Sequence, residues 1–191
     1  MRVKVEKPPI VIPGFRFAGV ACGIKASGKK DLSLIVSEVP ATAAAVFTTN
    51  AVKAAPVLVG QERIRSGRLQ AIVVNSGNAN VSTGRPGLRL AQNSCALVGS
   101  LLGIDDTLIL PSSTGKIGAM PPWDKIQAGI RAACAVLSPR GFWSALAGIM
   151  TTDAFPKAAV RQVVIGGKSV TVAGMAKGAG MINPNMATML C

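Results

Sequence analysis

Between residues 69 and 137 the chain twice runs from a short apolar segment through a small polar loop into a stretch of helical periodicity. "LQAIVVNSGNAN" (69–80) is apolar in its first half and Gly/Asn-rich in its second. Over 86–102, Leu88, Ala91, Cys95, Val98 and Leu102 recur at spacings of three and four. That spacing predicts an amphipathic helix with Pro86 in its first turn. "LILPSSTGKIG" (108–118) then reads as a short strand feeding a Ser/Thr/Gly loop. Ile126, Ile130, Ala133 and Leu137 stripe a second helix over 122–137, which Pro139 ends. A chain ordered in this way is a mixed α/β domain.

The flanking segments fit that class. "DLSLIVSE" (31–38), "AAAVFTT" (43–49) and "PVLVG" (56–60) have strand composition, each bounded by Pro, Asn or Gly. A short helix is predicted over 142–150, and "GGK" between 160–165 and 169–173 predicts a hairpin. Residues 1–30, broken by Gly14, Gly19, Gly23 and Gly28, read as irregular. No linker-like stretch divides the 191 residues, so one domain is expected.

Composition narrows the function classes. With 49% hydrophobic and 15% charged residues, the chain can bury enough apolar surface to offset its ordering entropy. No apolar run approaches the ~18 residues of a membrane span. "MRVKVEKPPIVIPGF" lacks the continuous apolar core of a signal peptide, so a cytoplasmic, membrane-free protein is expected. Cys22, Cys95, Cys134 and Cys191 form no C-x-x-C pair and read as small hydrophobes. The chain has no histidine and no clustered zinc ligands, so no metal is expected. The net charge of +13 invites a nucleic-acid-binding module as an alternative. The basic residues are dispersed, however, and no aromatic stacking platform interleaves with them. A solvated basic surface, without nucleic acid, is the expectation.

Three segments could carry chemistry. "NSGNAN" (75–80) can bring backbone amides close to a ligand, or be an ordinary turn after a strand. "SSTGKIG" (112–118) sets a hydroxyl beside a glycine N–H, the pair an oxyanion hole needs, though a polar turn has the same composition. The closing "KGAGMINPNMATMLC" places Thr188 among apolar residues. A threonine there is ordinarily a hydrogen-bonded core residue. As a nucleophile it would need a base, and the chain holds no histidine. Its own α-amino group, once the preceding peptide is cut, could serve, with a pKa of about 7.7–8.0.

"GFRFAGVACGIKASGKKDLSLIVSEVPATAAAVFTTNAVKAAPV", "AIVVNSGNAN", "SSTGKIG", "IMTTDAFPK" and "AKGAGMINPNMATML" follow one another in an order and spacing that resembles the ArgJ family of ornithine acetyltransferases over nearly the whole chain. The resemblance implies a layered α/β/β/α sandwich. It implies a precursor that cuts itself between Ala187 and Thr188, into an α chain (1–187) and a β chain that begins at 188. Thr188 would be the nucleophile, and Thr114 and Gly115 the oxyanion hole. Lys177 and one of Thr151 and Thr152 would contact the acetylated substrate, with Lys177 paired to a carboxylate. The implied reaction moves acetyl from N-acetylornithine to glutamate through an acetyl-threonine. No cofactor is implied, although some members take acetyl-CoA as donor. The assembly implied is two α and two β chains.

Residues 188–191 are then only the start of a β chain, which makes a truncated gene, a fragment or an inert remnant the expected cause of the chain's end. The chain alone is expected to be inactive. Lys116 stands where the family usually has an apolar residue and is expected to face solvent. The nearest enzymatic alternative is a self-cleaving aminopeptidase resembling DmpA. Those enzymes use serine and lack the "TTDAFPK" context.

Overall fold

The computed structural model describes residues 8–180, 186 and 188–191. Its centre is a four-stranded sheet in the order β1 (Phe15–Val20), β2 (Leu32–Thr42), β3 (Arg68–Asn78), β4 (Ile109–Lys116). The first two pairings are antiparallel and the last, β3 with β4, is parallel. A parallel neighbour requires a crossover. Here it is the helix α2 (Gly84–Leu102), whose periodic stripe was legible in the sequence.

Alternation along the strands assigns the two faces. Leu32, Leu34 and Val36 of β2, with Ala71 and Val73 of β3, meet Leu90, Cys95 and Val98 of α2. Ile126, Ile130 and Ala133 of α3 (Trp123–Ala135) complete this core. The opposite face carries Phe17 and Val74, covered by Phe142, Ala145, Leu146 and Ile149 of α4 (Phe142–Ile149). The mixed α/β class is as expected. A second, two-stranded sheet is the hairpin of β5 (Lys157–Ile165) and β6 (Lys168–Ala176). It turns on Gly166 and Gly167, both at positive φ, as tight hairpins prefer.

Four expectations need correction. Residues 15–20 are a strand, not irregular chain, because Phe15 and Phe17 face one core and Ala18 the other. Residues 56–60 are not a strand. They lie in the helix α1 (Ala55–Arg63), where Pro56 needs no donor in the first turn and Val59 is buried. Residues 43–49 are not a strand either, since the chain leaves the sheet after a register break between Val36 and Ala41. Finally, the polar ends of β3 and β4 are not loops. They stay paired through Ser76–Thr114, Gly77–Gly115 and Asn78–Lys116.

The helix α4 lies close enough to β1 that a methyl on Gly19 would overlap the Ser144 carbonyl group. Lys30 fastens the same contact, its ammonium donating to Gly19 O at 2.7 Å and Ser144 Oγ at 2.9 Å. Backbone atoms cannot yield as a flexible side chain can. Gly19→Ala is therefore expected to destabilise the protein by about 3 kcal/mol, read as a lower urea midpoint.

Candidate active site

Ligands in α/β sheets bind beyond the carboxyl ends of parallel strands. The β3–β4 pair ends in an open cleft of about 680 Å³. Gly77 and Gly115 face each other across that pair, each with positive φ. A Cβ on Gly115 would strike the Gly77 backbone. Gly115 thus lets the strand ends approach, and Gly77 makes room for the Ile24 side chain.

Thr114, one residue before, is fully buried. Its hydroxyl donates to the backbone carbonyl of Thr188 at 3.1 Å. The Lys177 ammonium donates to Thr114 Oγ1 and to the same Thr188 carbonyl, each at 3.0 Å. Lys177 in turn pairs with the chain's end: its N–H donates to Leu190 O at 2.9 Å, and the Leu190 N–H returns to Lys177 O at 3.3 Å. Thr114, Lys177 and Thr188, 74 residues apart at the extremes, are therefore one hydrogen-bonded cluster. Only 3% of Lys177 is exposed. Burial lowers its pKa, opposed by the charge of Asp153 and aided by that of Lys157.

Thr151 and Thr152 both line the cleft, following α4. Each expected site residue except one therefore belongs to this cleft. The exception, Ala187, lies outside the described residues. Lys116 is exposed at the mouth, as expected. "NSGNAN" is mostly scaffold. Asn75 donates to Asn78 O at 2.9 Å, and Asn80 donates to Gly87 O at 3.0 Å. Gly77 alone of that segment lines the cleft.

Two residues were missed. Lys25, half-buried, lines the cleft, with its ammonium donating to Lys30 O and Met150 O at 2.6 Å each. Asp153 ties the two cleft walls together. Its Oδ1 accepts from Gly178 N–H at 2.9 Å and from the Lys157 ammonium at 2.6 Å, and its Oδ2 accepts from Thr151 N–H at 3.2 Å. The signals were present but weak: an acid inside "MTTD", and a lysine in a Gly-flanked loop leading to Asp31. Among the described residues no group of His, Cys, Asp or Glu could hold a metal ion, and no helix is long and apolar enough to cross a membrane.

Known proteins resemble this arrangement. The model of the ArgJ family matches residues 16–191. The arginine biosynthesis bifunctional protein ArgJ of Symbiobacterium thermophilum is 53% identical over 179 residues, which are 93% of this chain and 44% of that protein. The protein of the same name from Geobacter sulfurreducens is 50% identical, over 94% of this chain and 46% of its own. The chain thus spans a little under half the length of these curated relatives. Among solved structures, ornithine acetyltransferase from Mycobacterium tuberculosis, complexed with ornithine, superposes with a TM-score of 0.85 at 40% identity, covering 94% of each chain. ArgJ of Bacillus halodurans superposes with a TM-score of 0.84 at 41% identity, over 94% of this chain and 92% of the other.

Burial raises the pKa of the Asp153 carboxyl, but its bonds to Lys157, Gly178 and Thr151 outweigh that and hold it at about 2, against 3.8 for a free side chain. A carboxyl depressed on folding contributes its stability in full above the unfolded value and loses it as pH falls toward the folded one. Its side chain is fully buried, so Asp153→Asn is expected to cost roughly 2 kcal/mol at neutral pH. Near pH 2 the difference from the parent should nearly vanish. Urea unfolding of both proteins at the two pH values checks this.

Proposed function

This chain belongs to the ArgJ family, and on that premise we propose that it carries the nucleophile of a glutamate N-acetyltransferase that takes acetyl from N-acetylornithine. The observation that carries the reading is the convergence of the Thr114 hydroxyl and the Lys177 ammonium on Thr188, within 3.1 Å, at one end of a substrate-sized cleft.

The chemistry begins with the peptide between Ala187 and Thr188. Its scission turns the Thr188 nitrogen from an amide, which is no base, into an amine with a pKa of about 7.7–8.0. That amine takes the Oγ proton as Oγ adds to the acetyl carbon of N-acetylornithine. Negative charge develops on the acetyl oxygen, where the Gly115 N–H receives it together with the Thr114 O–H, which turns to it from the Thr188 carbonyl that Lys177 continues to hold. Donation from Lys177 to Thr114 Oγ1 polarises that hydroxyl and makes it a stronger donor. The proton on the Thr188 amine then passes to the departing nitrogen, the C–N bond breaks, and ornithine leaves an acetyl ester on Oγ. The glutamate amine attacks this ester along the reverse path. Its proton returns through the Thr188 amine to Oγ, and N-acetylglutamate departs. Thr151 and Thr152 form the wall against which the acetylated substrate lies.

The rest of the precursor is the proposed partner. The hairpin exposes Val164 (75%), Ile165 (61%) and Val172 (54%), and Phe155 beside it is also exposed. A two-stranded ribbon is marginal by itself and needs a covering layer. The 191 residues alone are therefore expected to self-associate and to have no transferase activity. A monodisperse monomer on sizing, or turnover by that chain, contradicts this.

Intact mass of the complete gene product tests the central claim. Two chains meeting at Ala187 and Thr188 are expected, and Thr188→Ala should abolish both the cut and the turnover. In the processed enzyme Thr114→Ala is expected to lower kcat by about 10²–10³-fold, the usual loss of one oxyanion donor. Processing without acetyl transfer would overturn the reading.

A further inference from the structure

The cleft contains three lysines, and they are not equivalent. Lys116 is exposed at the mouth. Lys177 is turned inward, with its ammonium on Thr114 Oγ1 and the Thr188 carbonyl. Both of those contacts lie at the proposed reaction centre, so that charge is directed at the acyl group. Lys25 differs from both. It is half-buried, and its ammonium is fixed by two backbone carbonyls, Lys30 O and Met150 O, at 2.6 Å each.

Two acceptors leave the third N–H of an ammonium for something else. Among the described residues no carboxylate lies within ion-pair distance of Lys25. The acid nearest in sequence, Asp31, is spent on backbone: its two oxygens accept from Cys22 N–H at 2.7 Å and Lys25 N–H at 2.9 Å. Burial accordingly lowers the Lys25 pKa, with Asp31 opposing and Lys177 adding to the effect. Taking a cation partly out of water without a counter-ion is costly. An immobilised cation that lacks an anion, on the wall of a ligand cleft, is arranged to receive one.

The substrates of the proposed reaction supply it. This step rests on the acetyltransferase reading. N-acetylornithine and glutamate differ beyond Cβ, but in both the reacting nitrogen is bonded to a Cα that bears a carboxylate. A site that acetylates and deacetylates this nitrogen through one threonine must hold both α-carboxylates in one place. We infer that Lys25 is the residue that binds the α-carboxylate of donor and acceptor, beside Thr151. Its bond to Met150 O sets it directly against the segment that opens with Thr151. The inference makes Lys25 a specificity residue for α-amino acids and transfers to it the carboxylate contact expected of Lys177, whose ammonium is already on Thr114 Oγ1 and the Thr188 carbonyl.

The test uses the complete, self-processed enzyme with two donors, N-acetylornithine and N-acetyl-1,4-diaminobutane, which is the same molecule without its carboxylate. Wild type is expected to prefer the carboxylate donor by at least about tenfold in kcat/KM, the scale of one charge-assisted hydrogen bond. Lys25→Gln should raise KM for both N-acetylornithine and glutamate and erase most of that preference. A merely structural lysine would lower both donors equally and leave the preference intact, and that result overturns the inference. Lys25→Arg, which keeps the cation, should retain the preference. The wild-type comparison stands without any variant: equal turnover of the two donors overturns the assignment. Failure of wild type to use N-acetylornithine at all would instead overturn the acetyltransferase reading, and this inference with it.

Discussion

The parallel pairing of β3 with β4 is the constraint from which the site follows. Parallel strands cannot be joined by a tight turn, so α2 must cross between them, and its stripe of Leu90, Cys95 and Val98 becomes one side of the core. The same pairing sends two polar strand ends out at one edge in register. Gly77 and Gly115 meet there with no room for a side chain between them. That contact leaves Thr114 buried yet in reach of Thr188. A side chain at Gly115 would part the strands at the point where the hydroxyl, the ammonium and the Thr188 carbonyl converge.

Around that edge the electrostatics divide by depth. Asp153 is the buried acid of the cleft, and its oxygens are used by Lys157, Gly178 and Thr151. It therefore braces the walls and is held ionised by what it braces. The lysines that line the cleft have no ion pair among the described residues. Dispersed basic charge, which looks featureless along the sequence, includes three lysines that the fold brings to one cavity, two of them, Lys25 and Lys177, held by different acceptors. The overall +13 and the local polarity of the cleft are separate properties.

What the sequence revealed and what it hid divide along the range of the interactions responsible. The helices α2, α3 and α4 were legible because periodicity is a local pattern, and the Gly166–Gly167 hairpin because turn chemistry is local too. The helix α1 was misread, since "PVLVG" has strand composition and only its packing beside β4 and Phe47 makes it helical. The strand β1 was missed because its Gly-interrupted segment gains order from pairing with β2. Thr114, Gly115, Lys177 and Thr188 were named because they sit in motifs of a recognisable family. Lys25 and Asp153 were not. Their significance lies in Met150 O and in Gly178 N–H, partners 125 and 25 residues distant that no spacing rule connects.

The anchoring of Thr188 has a directional consequence. Its carbonyl is held by Thr114 and Lys177, and the Leu190 backbone is laced to Lys177. All of these attachments lie downstream of the bond that joins Thr188 to Ala187. Severing that bond would remove none of them. The new chain would start life already moored, and the cut would free one nitrogen without setting its residue adrift. Covalent continuity at that point is not what holds Thr188 in place.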